Sequence, residues 1–296
     1  MNHQEQGVDL SKIYKKIFSK RILHRVYKER LGEPFIYNLF SLYYALFGDI
    51  SKKIDYDLII RQPYAFGLNK AFQEAKKFNI NKISIIEFGV AAGAGLFNLS
   101  EIAGRLSQFY NIDFEITGFD TGEGMPKPVD YRDHPEKYRY GDYPPEKLNQ
   151  NNLPLKTQLR IGPISETVPK FISELNIEDK IAFVSVDVDY YSSTLDCLQI
   201  CDASSRHFLP STVFYFDDVQ DIDDNPFMGE LLAIHEFNLK RLDKKISKMN
   251  LLKNQRIFRN APWIDQMYFL HVLDSEYRSP SYWKDTKPSI LTNPYL

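Results

Sequence analysis

The chain has 296 residues, with 37 basic and 39 acidic side chains and a formal net charge of −2. That balance argues against a dedicated nucleic-acid binder, which carries a basic surplus. With 43% hydrophobic and 26% charged residues the composition is that of a globular protein, and a chain this long buries about three quarters of its unfolded surface without disulfide staples.

Residues 1–8 are polar and lack the apolar core of a signal peptide. Residues 9–30 read as an amphipathic helix, with Ile13, Ile17, Phe18, Ile22 and Val26 on one stripe. Its other face holds Lys12, Lys15, Lys16, Lys20, Arg21, Arg25, Lys28 and Arg30. A basic amphipathic helix can lie on an anionic membrane; the reading preferred from sequence is a solvated charged face over a packed stripe. A second helix follows Pro34. The apolar stretch from Phe35 to Phe47 is too short to span a bilayer, which needs about 20 residues, so a cytoplasmic protein without a transmembrane segment is expected. A third helix starts near Pro63 and carries Tyr64, Phe66, Leu68, Ala71, Phe72 and Ala75. Residues 1–62 are expected to form an N-terminal helical cap, and its aromatic helices offer an interface for a homo-oligomer.

From residue 63 to 274 strands alternate with helices. Lys82–Phe88 (KISIIEF) is a strand leading through a glycine loop into helix 94–107. Residues 114–119 form the next strand. The segment 121–156 holds six prolines and Tyr131, Tyr138, Tyr140 and Tyr143, without helical period; it reads as an elaborated loop or lid. A short strand at 158–161 and helix 165–175 follow. Residues 181–186 (IAFVSV) are continuously apolar, as a buried parallel strand is. Helix 191–206, strand 212–216, helix 227–240 and strands 251–258 and 266–273 complete the pattern, and 275–296 read as a docked tail. The expectation is an α/β, Rossmann-like, doubly wound and mostly parallel seven-stranded sheet with helices on both faces. Its ligand crevice lies at the C-terminal strand ends. Cys197 and Cys201 share a helix face but form no CxxC pair; they read as buried core thiols.

The strand ends carry the chemistry. Only 14 glycines occur, below the average usage of about 7%, yet Gly89, Gly93 and Gly95 follow Glu87 in an E-x-G-x-x-x-G-x-G loop. Glycines let a backbone turn sharply against a ligand, and the following helix presents free N–H groups. Asp120 ends the second strand, where an acid can accept both ribose hydroxyls of an adenosine. Asp187 and Asp189 end the fourth strand, and Asp217 and Asp218 the fifth. Four carboxylates over one crevice repel; a hard divalent cation such as Mg²⁺ resolves the conflict. Asp187, Asp217 and Asp218 are assigned to the metal and Asp189 to the catalytic base, although strand alternation leaves Asp187 and Asp189 exchangeable. The run from Asp221 to Asn225 fails as a calcium loop because Pro226 and Leu232 stand where glycine and glutamate are required, and it reads as a solvated acidic loop. His235 and His271 read as structural.

The glycine loop and Asp120 resemble the class I S-adenosylmethionine-dependent methyltransferases. The runs GFDTGEGMP (118–126), DVDYYSSTL (187–195), FDDV (216–219) and HEFN (235–238) are similar to the macrocin O-methyltransferase-like branch, over about residues 60–272. The resemblance implies S-adenosylmethionine as methyl donor, a divalent metal, and a sugar hydroxyl of a natural product as small-molecule acceptor. It implies methionine and backbone contacts at Glu87, Gly89, Gly93 and Gly95 and ribose contact at Asp120; Tyr64 joins this cofactor-binding set. One departure is Pro163, where many methyltransferases place a polar adenine contact. Competing readings are a metal-dependent glycosyltransferase using the D-x-D at 187–189 and a non-catalytic methyltransferase-like binding module. A short-chain dehydrogenase is disfavoured, because its Tyr/Lys pair would have to be Tyr143 and Lys147, separated by Pro144-Pro145.

Overall fold

The computed structural model describes residues 25–143, 152–176, 178–220 and 223–284. The helix read over 9–30 lies mostly outside these residues; its described end, Arg25–Arg30, is a single π-helical turn. The N-terminal layer continues with α1 (Phe35–Phe47), α2 (Ile50–Asp55) and α3 (Gln62–Lys77). Pro63 stands in the first turn of α3, where no intrahelical N–H is lost.

The alternating segment forms β1 (Lys82–Phe88), α4 (Ala94–Tyr110), β2 (Asp113–Asp120), β3 (Thr157–Ile161), α5 (Ile164–Glu174), β4 (Ile181–Val186), α6 (Tyr191–Leu198), β5 (Phe208–Phe216), α7 (Gly229–Lys240), β6 (Lys244–Lys248), α8 (Leu252–Gln255) and β7 (Met267–Val272). The seven strands lie in the order β3-β2-β1-β4-β5-β7-β6. All neighbours are parallel except β7, which runs antiparallel to β5 and β6. The chain therefore has the expected doubly wound, mostly parallel α/β fold.

Strand alternation builds two cores. Ile83, Ile85, Phe183 and Val213 face α3 and α4, whereas Phe88, Val184, Val186 and Phe216 face α5, α6 and α7. Because both sheet faces are covered, β1 and β4 are buried along nearly their whole length. Cys197 and Cys201 are free and buried in the second core. Burial pushes the Cys201 thiol up to about 12, which leaves it inert at neutral pH.

One expected strand is corrected. Residues 251–258 do not pair; α8 and a loop occupy them, and the sixth strand is Lys244–Lys248. Its sequence, KKISK, is short and charged, as suits an exposed sheet edge. Helix 191–206 is also shorter than expected, ending at Leu198 before two 3-10 turns. The tail docks as expected as far as it is described: Tyr277 and Trp283 pack on Phe78 at ring separations of 4.7 and 5.9 Å.

The N-terminal layer is tied to the sheet domain by a buried ion pair. Arg256 donates to Asp57 at 2.8 Å and to the carbonyls of Ile54 and Asp55 at 2.9 and 3.0 Å.

Candidate active site

The first strand end is a tight joint. Gly89 has φ +81°, and a Cβ on it would stand 1.8 Å from the Asp187 carbonyl oxygen. The backbones after β1 and β4 are therefore in contact only because residue 89 is glycine. Gly93 caps α4 at φ 85°. A Cβ on Gly95 would stand 1.8 Å from Glu87 Oε1, so Gly95 makes room for a carboxylate beneath the helix start. Glu87 is buried. Its Oε1 accepts from the Tyr64 hydroxyl at 2.8 Å, which in turn accepts from Ser185 at 3.0 Å. Burial raises the Glu87 carboxyl to about 7, opposed by the Tyr64 bond and the nearby Arg61 guanidinium. Its Oε2 is buried without a partner.

Asp120, at the end of β2, holds the glycine loop. Its Oδ2 accepts from the amides of Val90 and Ala91 at 2.9 and 2.8 Å, and its Oδ1 from Gly122 at 2.8 Å. A carboxylate has about four lone-pair positions; three are taken by the backbone, which leaves about one for a ligand, one fewer than the two ribose hydroxyls expected from sequence.

At the ends of β4 and β5 the carboxylates of Asp187, Asp217 and Asp218 each place an oxygen within 4.8 Å of the other two. Asp189 is not in this trio. It sits at φ 60°, in the left-handed region, where aspartate is among the few tolerated side chains. Its carboxylate lies by the Tyr138 hydroxyl and Asp218. Asp187 is thus the one that stands with Asp217 and Asp218 as a trio.

Supporting side chains fix the trio. Asp217 accepts from the Tyr215 hydroxyl, and Gln266 Nε2 donates to its carbonyl and carboxylate oxygens at 2.8 and 3.1 Å. Asp218 accepts from Tyr138 at 3.3 Å, and its amide donates to Glu230 at 3.0 Å. Burial, then Asp189, Asp217 and Asp187, push the Asp218 carboxyl up to about 9. Burial and neighbouring acids likewise hold Asp187 well above the usual carboxylate range. Asp218 Oδ2 and Glu230 Oε1 are buried without partners. Carboxylate oxygens this close, with orphaned lone pairs, suit a hard divalent cation.

Gly89, Asp120, Asp187, Asp189, Asp217 and Asp218 all line one cavity of about 670 Å³. Tyr64 does not; it lines a second cavity of about 560 Å³, with Arg25 and Arg61, that reaches Asp187 and Asp217 from the other side. Glu87, Gly93 and Gly95, expected to bind the cofactor, do not line the first cavity either. Of the four loop tyrosines, Tyr138 and Tyr143 line the first cavity; Tyr138 is buried, whereas Tyr143 is exposed like Tyr131 and Tyr140. Asp133 pins that loop to α6, accepting from the Ser192 amide and hydroxyl at 2.8 and 2.9 Å.

Two site residues escape sequence reasoning. Glu230 looks like an ordinary first-turn helix acid, yet it is fully buried under Asp218. Arg61 looks like a linker residue, yet its charge acts on Glu87 and Asp187. Of the acidic run 221–225, Asp221 and Ile222 lie outside the described residues and Asp223 is exposed as expected, whereas Asp224 is largely buried and pairs with Lys137 at 3.6 Å. His271 bonds Ser247 at 2.8 Å, and His235 is exposed on α7; neither borders the cavity.

No protein-family model and no curated protein sequence match the chain. Solved structures do. The calicheamicin methyltransferase CalS11 superposes with a TM-score of 0.46 at 20% identity, over 59% of this chain and 70% of that one. The O-methyltransferase NovP gives 0.42 at 14%, over 60% and 72%. The plantazolicin methyltransferase BpumL in complex with SAH gives 0.30 at 14%, over 88% and 97%. These are likenesses only, and the function is argued from the chain's own residues.

Proposed function

We propose that the chain is a class I S-adenosylmethionine-dependent O-methyltransferase of the macrocin O-methyltransferase-like kind. On this reading it is assisted by a divalent cation and acts on a hydroxyl of a sugar or glycosylated natural product. The observation that supports it best is the shared cavity, with the glycine loop and Asp120 on one wall and the acidic trio on the other. Residues 63–274 form the catalytic domain, 1–62 the helical cap and 275–296 the tail.

The donor supplies an electrophilic methyl group, and a cation held by Asp187, Asp217 and Asp218 supplies Lewis acidity toward the acceptor oxygen. Asp120 offers its remaining lone pair to the donor's ribose. Asp189 takes the acceptor's hydroxyl proton as the new C–O bond forms and the C–S bond breaks. Tyr138, buried over the acids, shields the reacting atoms from water, and the rigid strand ends supply the positioning on which in-line transfer depends.

Calorimetric titration with S-adenosylmethionine, NAD(P)H and a nucleotide-sugar, each with and without Mg²⁺, tests this reading. S-adenosylmethionine alone is expected to bind; binding of only a nucleotide-sugar would transfer the reading to a glycosyltransferase.

The cation has its own test. Glu87, Asp187, Asp189, Asp218 and Glu230 all have carboxyls raised by folding. Stability from such groups is fully present below the unfolded carboxylate range, about 4. It is lost as pH rises through about 7 for Glu87 and about 9 for Asp218. Mg²⁺ or Mn²⁺ should therefore raise the melting temperature far more in mild alkali than in mild acid. Equal shifts at both pH values, or none, would refute a cation at the trio.

A further inference from the structure

Two cavities meet at the acidic trio. The second, of about 560 Å³, shares only Asp187 and Asp217 with the cavity of the glycine loop and Asp120. With the donor in the first cavity and a cation at the junction, as proposed for methyl transfer, the second is left for the body of the acceptor.

The wall of the second cavity indicates what the acceptor carries. Arg61 lines it and is half-buried. Its guanidinium carbon stands 5.1 Å from the centre of the Tyr64 ring, and among the described residues it makes no hydrogen bond and no ion pair. A guanidinium carries five N–H donors and is seldom withdrawn from water without a partner. Arg25 adds a second positive charge, steadied by the Asp57 carbonyl at 2.8 Å. Trp263, on the same wall, is only 7% exposed, and its Nε1 has no acceptor. Residues 62–64, the first turn of α3, complete this side; first-turn amides lack intrahelical acceptors and favour negative charge. The acids on the wall are taken: Asp187 and Asp217 belong to the trio, and Glu29 already has a partner. Tyr215 and Gln266 are committed to Asp217. Apart from the Gln62 and Gln220 amides, which can both give and accept, the unmet groups are donors. A donor-rich wall with two guanidinium groups suits an oxyanion, whose geometry the arginine fork matches.

We infer that the acceptor carries a carboxylate or phosphate group besides its hydroxyl, and that Arg61 binds this group in the second cavity while the hydroxyl reaches the trio. The inference rests on the methyltransferase reading and narrows its substrate class: Arg61 selects an acidic sugar or a sugar phosphate over a neutral one. The donor's own carboxylate is the other source of an oxyanion, and one titration separates the two.

The full-length protein is saturated with Mg²⁺ and with either S-adenosylhomocysteine or 5′-methylthioadenosine, which lacks the amino-acid carboxylate. It is then titrated with sulfate at constant ionic strength. Tryptophan emission reports binding, since Trp263 is one of only two tryptophans. Saturable binding is expected, equal in the two complexes. Arg61→Gly should bind sulfate about tenfold more weakly or worse. Its melting temperature should be unchanged, because Arg61 sits at φ 53° and glycine adopts that conformation without strain. Arg61→Lys should keep part of the affinity, having the charge without the fork. Sulfate binding that does not saturate, or that Arg61→Gly leaves intact, overturns the inference. So does binding in the methylthioadenosine complex that S-adenosylhomocysteine abolishes; Arg61 would then hold the donor's carboxylate. Failure of both nucleosides to bind defeats the methyltransferase reading itself, and the inference with it.

Discussion

Replacing Asp217 and Asp218 together by alanine is expected to abolish metal-dependent turnover while leaving S-adenosylmethionine binding within about tenfold, roughly 1.4 kcal/mol. The two residues supply two of the three carboxylates that meet at the ends of β4 and β5. The proposed donor contacts lie on β1 and β2, and nothing in their hydrogen bonding passes through Asp217 or Asp218. The metal-free variant should also be no less stable than the wild type above neutral pH. It removes a carboxyl that burial and its neighbours push up to about 9, and ionising such a group opposes folding. Steady-state kinetics, calorimetry and thermal melts of the same preparation decide the matter. Equal loss of turnover and donor binding would mean that the cluster serves the fold.

Gly89→Ala is expected to have the largest effect of any single methyl group. The residue is held at φ +81°, and the added carbon would stand 1.8 Å from the backbone oxygen of Asp187. Left-handed backbone costs a non-glycine residue about 1–3 kcal/mol, and overpacking adds a further 1–3 kcal/mol or so. The contact cannot relax by a rotamer change, because the atom it meets is backbone. Separation of β1 from β4 should weaken donor binding and cation binding together. A variant that melts and titrates like the wild type would show that the approach of these two strand ends is dispensable.

Much of this was legible because it depends on local pattern. The apolar run IAFVSV became β4 with the expected bounds, and the clustering of glycines located the loop. Asp187, Asp217 and Asp218 do come together, since residues at the ends of neighbouring parallel strands meet. What remained hidden depends on tertiary context. KKISK carries no apolar alternation strong enough to mark an edge strand, and its pairing with β7 is what makes it one. Tyr64 is expected in the cofactor-binding set, yet only the packing of α3 on β1 shows that its hydroxyl meets Glu87 instead of lining the cavity. Nor does the composition of α1 say which side faces outward, because apolar residues occupy nearly every position around Ser41.

Asp120 has one further consequence. By gathering the amides of Val90, Ala91 and Gly122, it sets the shape of the glycine loop before any ligand arrives. The entropy of ordering that loop is therefore charged to folding and not to binding. A donor entering the cavity meets a surface already in its final form, and most of its contact energy is available as affinity.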